Sequence, residues 1–92
     1  TEAVWVENRI SVISIIVEEI SISSEVNKLL HDYRDYIVGR MGIPYRERGI
    51  SIICVVLDAP GDAVSALSGK LGMLKGVNTK TVVSKKISSK EG

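Results

Sequence analysis

The side chains in this sequence that could transfer a proton, attack a carbonyl or hold a metal are few and scattered. The single histidine, His31, stands next to Asp32, with Asp35 three residues further on. General acid–base or nucleophilic catalysis needs a base partnered with a nucleophile in a cleft. Ser11, Ser14 and Cys54 are the candidate nucleophiles considered, and none has a histidine near it in sequence. Asp32 and Asp35 share a helix face at i, i+3, yet hard cations take six or more oxygen ligands, so the pair alone makes a poor site. Cys54 is the only cysteine, which excludes an intramolecular disulfide and any multi-cysteine metal cluster. It lies inside an apolar run, where an inert, buried thiol is expected. The reading is of a protein that is not an enzyme, with no catalytic residue, no metal ligand set and no cofactor.

Two glycine-containing segments, Gly39-Arg40-Met41-Gly42 and Gly69-Lys70-Leu71-Gly72, match neither a dinucleotide fingerprint nor a phosphate loop. Arg40, Tyr45, Arg46 and Arg48 are the one cluster suited to a ligand. Planar guanidinium groups can hold an anion such as an amino-acid carboxylate. The same residues also fit a solvated hairpin tip, and sequence alone leaves both readings standing.

The elements that must position these residues are organised around Gly49–Asp58. Seven of the eight residues between those two are apolar and most are β-branched, which suits a strand. Arg9–Glu18 is a second such strand, with Ile10, Val12 and Ile16 on one face and Ile13, Ile15 and Val17 on the other. Between them, Val26, Leu29, Leu30 and Tyr33 recur at helical spacing, predicting a helix over 24–36 with Ser23 as its N-cap. Residues 37–45 form an edge strand broken by Gly39, Gly42 and Pro44, and Arg46-Glu47-Arg48-Gly49 turns the chain into the organising strand. A second helix follows Pro60. It carries Val64, Leu67, Leu71 and Leu74 on one face, Gly69 and Gly72 for close approach to the sheet, and a stop at Lys75-Gly76. Residues 77–85 are a second edge strand. Trp5 either extends the first strand or packs on a partner subunit.

The order is βαββαβ, an α+β ferredoxin-like (ACT-like) fold whose four-stranded antiparallel sheet has two helices on one face. The domain spans 9–85, between an N-terminal extension over 1–8 and a polar tail over 86–92. Two helices cover one face of such a sheet. The other face would present apolar side chains from both central strands to water, a patch that marks an interface. A homo-oligomer, dimer or tetramer, is therefore expected, with Ile10, Val12, Ile16, Ile50, Ile52 and Val56 at the contact. Twelve basic against eleven acidic residues give a net charge of +1, which offers no basic field for nucleic acid. No apolar run is long enough to cross a bilayer, and no secretory leader pattern opens the chain, so a cytoplasmic protein without membrane contact is expected.

Two local sequences carry a family resemblance. Gly39-Arg40-Met41-Gly42-Ile43-Pro44-Tyr45-Arg46-Glu47 is one; Ala66 to Val77, followed by Thr79-Lys80-Thr81-Val82, is the other. Together they resemble the iron-only hydrogenase system regulators, single-domain proteins of anaerobic bacteria, over about residues 9–85. The resemblance implies a regulatory module. It also implies likeness to the ACT-like C-terminal domain of the nickel-responsive repressor, which forms tetramers. Where that repressor holds nickel with histidines and a cysteine, this sequence has Ile43, Tyr45 and Ser51, with only Asp32 acidic near the remaining position. No nickel site is expected. The stretch ahead of the first strand is shorter than a ribbon-helix-helix, so no direct operator binding is expected. The glycine-containing loop with which ACT domains bind amino acids is not reproduced in Glu18–Ser24. A small-molecule effector, an amino acid or another anion held between subunits near Arg40, Tyr45 and Arg46, is the alternative role.

Overall fold

The computed structural model describes residues 7–86; Trp5 and the tail from Ile87 lie outside the described residues. In chain order the elements are β1 (Asn8–Val17), α1 (Ser23–Asp32), β2 (Ile37–Tyr45), β3 (Ile50–Pro60), α2 (Gly61–Gly72) and β4 (Val77–Val83). The sheet order is β2-β3-β1-β4, with every neighbouring pair antiparallel. This is the expected ferredoxin-like arrangement. The two strands with apolar residues on both faces occupy the centre, and the two interrupted by glycine, proline or polar residues form the edges.

Alternation along the strands decides which side chains meet the helices. Ile13, Ile15 and Val17 of β1, and Val55, Leu57 and Ala59 of β3, are wholly buried. They pack with Val26 and Leu30 of α1 and with Val64, Leu67 and Leu71 of α2 in one core. Fully burying a side chain of that size is worth roughly 1.5–3 kcal/mol. The ladder continues past the strands where Glu18 N–H donates to the Gly76 carbonyl at 2.7 Å and Ser84 N–H to that of Ile10 at 2.8 Å.

Several boundaries differ from the sequence reading, each for a local reason. Ser23 is the first residue of α1 rather than its cap. A 3₁₀ turn over Ile20–Ile22 leads directly into the helix, and no side chain caps it. The α-helix stops at Asp32, and Arg34–Tyr36 tighten into a second 3₁₀ turn. Helix α2 ends at Gly72, before Lys75, so Gly76 (φ 76°) does not cap it but turns the chain into β4. A Cβ at Gly76 would lie 2.7 Å from Glu19 Cγ, so the position needs glycine for space as well as conformation. Gly69 and Gly72 do not bring α2 closer to the sheet. A Cβ at Gly69 would meet nothing within 4 Å, and one at Gly72 only Thr79 Oγ1 at 4.0 Å. Cys54 is half-buried and belongs to the sheet face away from the helices, not to the core.

Candidate functional site: the helix-free sheet face

With both helices on one side, the even-numbered residues of β1 and β3 face the other. Cross-strand pairing arranges that face in rows. Ile43, Ile52 and Ile16 form one row, ending at Asn78 of β4; Val56, Val12 and Val82 form another. Between them lies a mixed row of Met41, Cys54, Ser14 and Lys80, and Tyr45 beside Ile50 closes the β2 edge. Ile10, Ile16, Ile43, Tyr45, Ile52, Met41 and Val82 are all exposed large side chains, with Met41 at 62% and Ile43 at 51%.

All six residues named for this face from sequence (Ile10, Val12, Ile16, Ile50, Ile52 and Val56) do lie on it. The reading missed Met41, Ile43, Tyr45 and Val82, which extend the patch across both edges. Met41, Ile43 and Tyr45 alternate along β2, a pattern obscured by Gly39, Gly42 and Pro44, while Val82 belongs to β4. A register shift between Ile37 and Gly39 also changes which residues of β2 share a face.

The four residues expected to gather around an anion do not converge. Arg40 lies cross-strand from the buried Val55, on the helix side, and donates through Nη2 to Asn27 Oδ1 of α1 at 2.9 Å. Tyr45 points from the opposite face of the same strand. Arg46 and Arg48 belong to the 3₁₀ turn between β2 and β3, which Gly49 closes in the left-handed conformation at φ 66°. Arg46 lines an opening of about 330 Å³ shared with Ser23 and Ser51.

The candidate chemical groups are equally dispersed. His31 is exposed on α1, on the other side of the sheet from Ser14 and Cys54, and its carbonyl accepts from Arg34 Nη1 at 3.0 Å. No cluster of three or more metal-ligating side chains exists among the described residues. Between the helices, Lys70 Nζ donates to the Tyr33 hydroxyl at 2.9 Å. The ammonium is 5.2 Å from the ring centroid, which places it beyond the oxygen rather than over the π face. That hydrogen bond, with the charge interaction with Tyr33 and that of Asp32, raises the Lys70 pKa above its ordinary 10.5; desolvation opposes the rise and is outweighed.

The family model described as TM1266-like, a proposed iron-only hydrogenase system regulator, matches residues 9–81. The chain belongs to that family. Among solved structures it is similar to the uncharacterized protein TM1266 from Thermotoga maritima, with a TM-score of 0.82 and 41% identity over 86% of this chain and 100% of that one. The formyltetrahydrofolate deformylase from Pseudomonas putida KT2440 shares the fold alone, at a TM-score of 0.59 and 15% identity over 79% of this chain and 28% of the other. No curated protein matches. In this member of the TM1266-like family, Gly39–Glu47 runs along β2 into the 3₁₀ turn after it, and Ala66–Val82 runs from α2 into β4. No helix among the described residues is long and apolar enough to cross a membrane.

Proposed function

We propose that this protein is a non-enzymatic, ACT-like regulatory module that assembles with copies of itself through the helix-free sheet face. The observation that carries the reading is the contiguous exposed apolar face, built from all four strands. Four strands about 4.8 Å apart and roughly eight residues long at about 3.3 Å each present roughly 500 Å² in projection. Two such faces together bury on the order of 1,000 Å², the lower bound of a specific interface. A second copy is the partner whose own face matches this one in shape, area and apolarity, and a two-fold axis makes such a surface self-complementary.

Family membership supports a role in regulating an iron-only hydrogenase system. The cytoplasm is the compartment that fits that role. A net charge of +1 favours action through protein contacts over direct binding to nucleic acid. The scattered placement of His31, Cys54, Ser14 and the Asp32/Asp35 pair supports a non-catalytic role.

Sedimentation or light scattering at micromolar concentration tests the reading. The wild type should run as a dimer or tetramer. Ile52→Lys and Ile16→Lys, each placing a charge in the middle of the face, should run as folded monomers with unchanged circular dichroism. A monomeric wild type, or an assembly indifferent to both substitutions, would remove the sheet face from the mechanism.

A further inference from the structure

We propose that the cleft between α2 and the β1–β4 pair binds a small amphipathic molecule through a carboxylate or phosphate oxyanion. The cleft holds about 480 Å³ and lies on the helix side of the sheet, so it is separate from the face assigned to assembly. Its floor is Arg9 and Ser11, successive helix-side residues of β1, with Thr81 from β4. Its roof is Ser65, Ser68 and Gly69 of α2. The last three stand at i, i+3 and i+4 and so share one helix face.

Two of these groups offer donors to the cleft. Ser11 is 1% exposed, and Arg9 is half-buried. Neither the Ser11 hydroxyl nor the Arg9 guanidinium enters a side-chain hydrogen bond among the described residues, whereas the neighbouring Thr81 hydroxyl donates to Ser68 Oγ at 3.2 Å. An oxyanion in the cleft could accept from the guanidinium fork and from the Ser11 hydroxyl together.

Gly69 is the independent observation. Glycine is the poorest helix former after proline, so a mid-helix glycine calls for a reason. Helix–sheet contact is not that reason, because a Cβ there would meet nothing within 4 Å. What the missing side chain leaves open is the cleft itself. Val64 and Val83 supply apolar wall beside the polar floor, which sets the ligand class: a hydrocarbon or aromatic body carrying one anionic oxygen group. The volume falls within the range of small-molecule sites.

The test is a titration of the full chain, followed by amide chemical shifts, with phenylacetate, phenyl phosphate and the neutral phenylacetamide. One of the two anions should give saturable shifts at Ser65, Ser68, Gly69 and Thr81, and whichever does so at lower concentration identifies carboxylate or phosphate as the preferred group. Phenylacetamide should bind about tenfold more weakly or worse, and Arg9→Gln should weaken the anion by a similar factor. Gly69→Leu, which fills the cleft while improving helix propensity, should abolish the shifts in a protein that melts no lower than wild type. Absence of saturable shifts with both anions, shifts confined to residues outside the cleft, or equal affinity for the amide and for Arg9→Gln would each overturn the proposal.

Discussion

Among the described residues, the contact of Lys70 with Tyr33 has a pH dependence whose sign can be worked out. The fold raises the Lys70 pKa above 10.5, chiefly through the hydrogen bond to the Tyr33 hydroxyl. A raised lysine pKa means that the folded state favours the protonated form. Its contribution is complete below 10.5 and is lost as pH rises through the higher, folded-state value. Tyr33→Phe should therefore lower stability by a constant amount between about pH 7 and 9, and the gap to wild type should close above pH 10.5. Urea denaturation over a pH series measures it. A gap that persists undiminished to the alkaline limit would assign the effect of the hydroxyl to packing. Nothing in the sequence announced this pair. Tyr33 was legible as part of an apolar stripe and Lys70 as a helix residue, but their meeting depends on how α1 lies against α2.

At the scale of elements, the glycines separate into two kinds that look alike in sequence. Gly76 is left-handed and packed against Glu19, so Gly76→Ala should cost about 1–2 kcal/mol, from the left-handed conformation and the contact it would force. Gly69 is helical with open space around its Cα, so Gly69→Ala should stabilise the fold by up to about 1 kcal/mol. Chemical denaturation of the two variants side by side checks both signs. The strands were the most legible elements, because a period of two with β-branched residues leaves little choice of conformation or face. Helix ends were the least legible. Ser23 has the chemistry of an N-cap, but the preceding 3₁₀ turn over Ile20–Ile22 already supplies helical geometry and overrides it. The same limit applies to the arginine cluster. Arg40 and Tyr45 are close along β2, yet the pleat sends residues five apart to opposite faces.

For the molecule as a whole, the exposed sheet face is the surface on which the proposed assembly rests. If assembly rests on apolar contact, as proposed, raising sodium chloride from about 0.1 to 1 M should not weaken it, since screening over a Debye length of roughly 3–10 Å acts on charges. Sulfate should strengthen it by favouring burial. Sedimentation in both salts measures the association constant. Loss of the assembly in sodium chloride would point instead to ion pairs from edge residues such as Lys80. The uncovered apolar face was legible in the residue pattern, because two amphipathic helices cannot cover both faces of a sheet whose central strands are apolar throughout.

Three things were determined by sequence alone: the order of the elements, the central position of β1 and β3, and the division of their side chains between two faces. These follow from short-range periodicity and from the few topologies open to βαββαβ. Tertiary structure alone decided that Met41, Ile43 and Val82 complete the apolar face, that the four ligand candidates part company, and that Arg9, Ser11 and Gly69 meet in one cleft. Those facts depend on register and on the seating of α2 over β1 and β4, contacts between residues far apart in the chain that no local pattern encodes.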